Sequence, residues 1–284
     1  MKSIYNMTVI LIALFATCAI FSYPFFKPNV QETITFFPIN PQVKFKTAET
    51  ELKLDSPLSI LWKEGSTLDR KAYLRQDVGL LFANGKLIAK MGDWKQNAAT
   101  ISQQKKININ QNQILQAITF HHAEIHEANQ IYSAQKITNT TLYTALQSPN
   151  KLYTFQFPKT AQEQQLKEKL DQHQVQLLQN TLNKGDRHFF INLKSYRVFH
   201  FTEFFNRAAV GLPGMSRDKS EKVVGQLWEG LYKGYFLGIK EKDGTVVDPI
   251  GSTIPIILLA NDQSHLLVLT ETANGEPILL RQMI

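Results

Sequence analysis

Cysteine is all but missing. The 284 residues hold one, Cys18, and it sits inside an apolar stretch near the N-terminus. Everything after it is therefore barred from an internal disulfide, a cysteine nucleophile or a cysteine-ligated metal. A chain of this length can bury a sizeable core without such staples. The familiar nucleophile and phosphate motifs are lacking as well. There is no G-x-S-x-G elbow and no glycine loop ending in G-K-[ST], and Ser252 in "DPIGSTIP" has no evident histidine partner. No nucleic-acid recognition module, internal repeat or low-complexity tract is apparent.

Charge is lacking over Met7–Phe26, "MTVILIALFATCAIFSYPFF". Twenty such residues in a helix rise about 30 Å, the thickness of a bilayer's hydrocarbon layer. Lys2 precedes the run and Lys27 follows it. The reading this supports is a retained membrane anchor, with residues 1–26 as cytoplasmic tail and span and the rest of the chain outside. The alternative is a cleaved export signal and a secreted product, although the small-residue pairs Thr17/Ala19 and Ile20/Ser22 are mediocre cleavage sites. Cysteine avoidance fits export from a single-membrane bacterium.

What is present is a folded composition, 43% hydrophobic and 19% charged, with Phe and Tyr spread throughout. The sequence predicts an α+β protein. Residues 27–41, with prolines at 28, 38 and 41, read as a stalk. Residues 42–157 read as a β-rich subdomain, its best local signal being "VGLLFANGKLIAKM", two apolar runs joined by the hairpin pair Asn84-Gly85. Residues 158–284 read as an α+β subdomain of about three helices and terminal antiparallel strands, possibly sharing one core with the first.

The first helix opens with the capping-box pair Thr160 and Glu163 and is expected to stop at Gly185. The second carries Phe201, Phe204, Phe205, Ala208, Ala209 and Leu212 at helical spacing and ends at "GLPG". The third starts near Ser216, and Gly230, Gly234 and Gly238 along its flank read as a packing notch. Pro255 places the following strand late or at an edge.

The densest chemistry is "AITFHHAEIHEAN". Read as a strand, it puts His122, Glu124 and His126 on one face with Ile118 and Phe120, and His121 on the other. Such a face can offer imidazole and carboxylate to Zn²⁺ or another divalent metal, although Glu124 falls in the wrong place for an H-E-x-x-H motif. The plainer expectation is a strand whose polar face meets solvent or blunts a sheet edge.

A second candidate is a helix stripe of Tyr196, His200, Glu203 and Arg207, in which His200 and Glu203 could form an acid–base couple. A third is an anion contact at Ser216, Arg217 and Lys219, where a helix begins.

Net charge is +7, from 31 basic against 24 acidic residues. The excess belongs to residues 27–157, with 15 basic and 10 acidic, whereas residues 158–284 hold 15 and 14. Lys44, Lys46, Arg70, Lys71, Arg75, Lys86, Lys90, Lys105 and Lys106 are placed to face an anionic bilayer or wall polymer.

The functional expectation is a membrane-anchored bacterial envelope protein acting as a non-catalytic binding or regulatory module, with another envelope protein as a possible partner and no cofactor. One alternative is a metal-assisted extracytoplasmic hydrolase using His122, Glu124 and His126. The other is a binder of anionic wall polymer or lipid.

Overall fold

The computed structural model describes residues 34–240 and 244–284. The expected anchor over residues 7–26 and the stalk up to residue 33 lie outside the described residues. Among the described residues no helix is long and apolar enough to cross a membrane. The α+β class, the β-rich half, the three helices and the terminal antiparallel strands are all present.

The β-rich half consists of β1 (Phe45–Ser56), β2 (Ser59–Ala83), β3 (Lys86–Asn108), β4 (Gln113–Glu127), β5 (Gln130–Ser148) and β6 (Lys151–Phe155). They form one antiparallel sheet in the order β1-β2-β4-β5-β6, with β3 along the other edge of β2. Asn84 and Gly85 take φ values of 48° and 78°, as a tight hairpin requires, and turn β2 into β3.

β2 serves two layers. Its first part pairs with β1, from Phe45↔Leu68 to Ser56↔Ser59, and its last part pairs with β4, from Leu74↔Glu124 to Ala83↔Leu115. Between Thr67 and Ala72 its register against β3 slips. Such an irregularity bends a strand, and an odd offset swaps the residues that face inward. Before the slip the inward set holds Trp62, Glu64, Ser66 and Leu68; after it, Arg75, Asp77, Gly79 and Leu81. The fold-over is sharp enough that Glu64 lies against Gly79. Along a straight strand those residues would be about 50 Å apart.

The second half holds α1 (Ala161–Phe189), β7 (Tyr196–His200), α2 (Phe201–Ala208) and α3 (Arg217–Tyr232), which runs on into a π turn over Lys233–Leu237. The short pair β8 (Ile239–Lys240) and β9 (Val246–Val247) follows, then β10 (Ile256–Ala260), β11 (His265–Glu271) and β12 (Pro277–Met283). These last three and β7 form an antiparallel sheet in the order β12-β11-β10-β7. The two halves share a core: Val78, Leu80, Phe82, Ile118 and Phe120 pack with Phe201, Phe204, Trp228 and Leu258. Lys90 of β3 also donates to the carbonyl of Tyr235 at 2.8 Å, tying the hairpin to the end of α3.

Several local expectations change. The capping box at Thr160 and Glu163 forms, but α1 continues through Gly185 to Phe189. Gly185 stays inside the helix, and a Cβ there would meet Leu269 of β11 at 2.4 Å, so its glycine serves close packing rather than a stop. The second helix is shorter than its aromatic spacing suggests. Tyr196–His200 is a strand paired with β10 from Tyr196↔Ala260 to His200↔Ile256, so sheet pairing overrides the helical pattern there. β10 starts right after Pro255, as expected, but it is an interior strand, flanked by β11 and β7.

Candidate functional site

The histidine-rich stretch forms the end of β4, a central strand between β2 and β5. It is not an edge, and its first two histidines do not reach solvent: His121 and His122 are both buried. The apolar run leading into them continues on both faces, which is the pattern of a strand covered on both sides. Alternation then sends the two imidazoles into different surroundings.

His122 points toward the shared core. It stacks on Phe120 with centroids 5.8 Å apart, and its Nε2 lies 3.3 Å from Ser133 Oγ. Burial, with the nearby Arg75 cation, pushes its pKa down to about 4, so it is neutral at physiological pH. Glu124 and His126, farther along the same face, pair with each other at 2.5 Å, and His126 stacks on Tyr73. Thus two of the three expected metal ligands meet while His122 bonds elsewhere. Among the described residues no group of three or more His, Cys, Asp and Glu side chains is placed to hold a metal ion.

His121 belongs to a polar network sealed inside the folded sheet. Its Nδ1 is 2.8 Å from Asp77 Oδ2, and its Nε2 is 2.8 Å from Thr138 Oγ1. Asp77 also accepts from Ser66 at 2.6 Å and from Arg75 Nη2 at 3.1 Å. Arg75 is fully buried and also donates to the Ser66 hydroxyl and to the carbonyls of His122 and Ala99. It therefore cannot face a bilayer, contrary to the basic surface expected from sequence. Lys106 is tied to Asp55 at 2.9 Å.

Beside this network Gln103 Nε2 bridges Glu64 Oε2 and the carbonyl of Asp77, both at 3.0 Å. Burial and the neighbouring Asp77 hold the Glu64 carboxyl well above the usual carboxylate range. A Cβ on Gly79 would fall 1.5 Å from Glu64 Oε1, so only glycine leaves room for it.

The order Asp77–His121–Thr138 has the shape of an orienter, a base and a hydroxyl. Its hydroxyl end is closed, because Thr50 Oγ1 sits 2.6 Å from both Thr138 Oγ1 and Thr119 Oγ1. Every member is engaged within the network, and what the arrangement does is hold the two layers together. Sequence reasoning missed it because its members are separated by tens of residues. The one visible signal was a basic and an acidic residue alternating into the apolar run of β2.

The other candidates are dispersed. Tyr196 and His200 lie on β7, at whose end α2 begins, while Glu203 and Arg207 lie on α2, so the four form no helix stripe. Ser216 caps α3 by accepting from Lys219 N at 3.2 Å, and Arg217 pairs with Glu221 at 2.9 Å.

A wide opening lies where sequence offered no chemistry. A groove of about 830 Å³ runs between the end of α3 and strands β11 and β12, with Leu237 and Val246 on its far wall. Gly230 and Gly234 line it, and a Cβ on either would meet nothing within 4 Å. They leave a furrow rather than the packing notch expected. Leu280 on β12 is 40% exposed and Val246 is 61% exposed, so the furrow is apolar and open. Ligand sites are of this kind, concave and mostly apolar. Compared with known proteins, the chain matches no family model, no curated protein and no solved structure.

Proposed function

We propose that this chain is a non-catalytic binding module of the bacterial envelope, held in the cell membrane by residues 7–26 with its folded part outside, and that it takes a segment of another envelope protein into the groove between α3 and β12. The observation that carries this reading is the groove itself: apolar, open, and kept vacant by two glycines that a helix would gain stability by replacing. The polar residues of the chain point the same way. Asp77, His121 and Thr138, whose order looks catalytic, are engaged with one another in the folded sheet, whereas the exposed concavity offers burial and shape. Such a surface recognises rather than reacts.

A photocrosslinking residue in place of Leu237, in the full chain expressed in its own host, tests this. It should capture one envelope protein, identified by mass spectrometry and shown to re-bind as a purified component. Gly234→Trp, which fills the furrow, should abolish both capture and re-binding. Crosslinks to lipid alone, or capture unchanged by Gly234→Trp, would end the reading.

A further inference from the structure

The groove does not stop at one face of β12. Ile278, Leu280 and Gln282 line it, and so do Arg281 and Met283. Residues of both parities can line one cavity only if it reaches around the strand's edge. That edge is open: β12 ends its sheet, pairing with β11 and with no other strand among the described residues.

The hydrogen-bond register says which main-chain groups it presents. Ile284 N donates to Ser264 O at 3.0 Å and Thr272 N donates to Glu276 O at 2.9 Å, and no register slip lies between. In an antiparallel ladder, bonded residues alternate. Residues 276, 278, 280, 282 and 284 therefore bond toward β11. Leu279, Arg281 and Met283 turn their N–H and C=O groups outward, and Pro277, which has no N–H to leave unpaired, stands at the start of the same row.

Natural sheets guard such edges with charges or bulges. This one carries a single charge, Arg281, in "PILLRQM", beside exposed Leu280 and Met283. Arg281 makes no ion pair among the described residues.

We infer that the groove takes an extended peptide segment that adds to β12 as a further strand, with alternate apolar side chains dropping into the furrow and an acidic side chain meeting Arg281. This rests on the binding-module reading and names the partner's chemistry. An acyl chain would use the furrow and leave three outward main-chain donors and the arginine unused. A helix could not reach those donors at all. A strand uses every feature, with backbone bonds for affinity and alternate pockets for specificity. A second copy of this basic chain would bring its own Arg281 and no acid to the pairing.

The probe is the capped peptide Ac-Thr-Val-Glu-Val-Thr-Val-amide, titrated onto the full chain in bilayer nanodiscs by calorimetry, with hydrogen exchange read at single residues. Binding should slow exchange at the amides of Leu279, Arg281 and Met283 at least tenfold. N-methylation of alternate peptide nitrogens should weaken binding at least tenfold. Arg281→Glu should weaken it similarly and should instead accept the peptide with Lys in place of Glu. Equal binding of the N-methylated peptide, or binding without protection at those three amides, would overturn strand addition while leaving the groove a binding site. No binding of either peptide, with capture from Leu237 intact, would overturn it as well. Loss of both would reach back to the function proposed above.

Discussion

The two concave regions of this molecule are opposites. Inside the folded sheet, Arg75, Asp77, His121 and Ser66 meet at hydrogen-bond distance and are buried, with the half-buried Thr138 at their rim. Between α3 and β12 the lining is mostly apolar, with charge only at its margins in Glu229, Lys233 and Arg281, and the space stands open. The residues that look chemical have been used as mortar, and those that look inert form the accessible site. Polar groups in a low-dielectric interior hold one another strongly because the cost of leaving any one unpaired is high. An apolar furrow carries no such obligation and is free to receive a partner.

The sharpest way to break the comparison is at Asp77. Its replacement by alanine strips the buried Arg75 guanidinium of its carboxylate partner. Removing one partner of a buried pair costs about 3–5 kcal/mol, and urea denaturation should show a loss of that order. Replacing both, Arg75→Met with Asp77→Leu, should recover much of it, since a hydrophobic pair leaves no orphan charge. A loss below about 1 kcal/mol for Asp77→Ala would mean water reaches the network, and the sealed interior would have to be reconsidered.

His122 gives a smaller, pH-dependent effect. Burial depresses its folded-state pKa, so the neutral imidazole contributes stability that is full above pH 6.5 and is lost as the pH falls toward about 4. Glu64 has the opposite sign. Its raised pKa favours the folded state most at low pH, and that contribution fades as the pH rises through the raised value. Comparing wild type with His122→Gln at pH 7 and pH 4.5 isolates the first effect. The wild type should lose about 2 kcal/mol more than the variant between those conditions. Equal losses would mean that His122 is solvated.

How much of this was legible depended on distance along the chain. The Asn84-Gly85 hairpin, the Thr160–Glu163 box and the Ser216 cap were readable because each acts within four residues. The face assignment of His121 and His122 was readable too, since alternation in a strand is local. The depth of those faces was not, because it depends on β2 and β5 closing over β4 from elsewhere. Asp77 and His121 are 44 positions apart, and they meet because the β2–β4 ladder sets them directly opposite each other. The strand at Tyr196–His200 was obscured by the stripe of Tyr196, His200, Glu203 and Arg207, whose spacing fits a helix, and pairing with β10 decided it. The groove was hidden for another reason: a vacancy has no residue type, and glycine spaced by four reads the same whether something fills the gap or nothing does.

Two glycines of α3 turn that ambiguity into the smallest and most discriminating measurement. At Gly225 a Cβ would fall 2.0 Å from the ring of Phe36, so alanine must push the segment that precedes β1 off the helix. At Gly230 it would meet nothing within 4 Å. Alanine is the better helix former by up to about 1 kcal/mol, so Gly230→Ala should raise stability by somewhat less than that this close to the helix end. Gly225→Ala should lower it by about 1–3 kcal/mol, the usual cost of overpacking. Thermal or urea unfolding of the pair separates notch from furrow directly. A loss at Gly230 would mean that the furrow is closed in solution. A gain accompanied by weaker capture of the partner would show that the molecule keeps its groove open at the expense of its own stability.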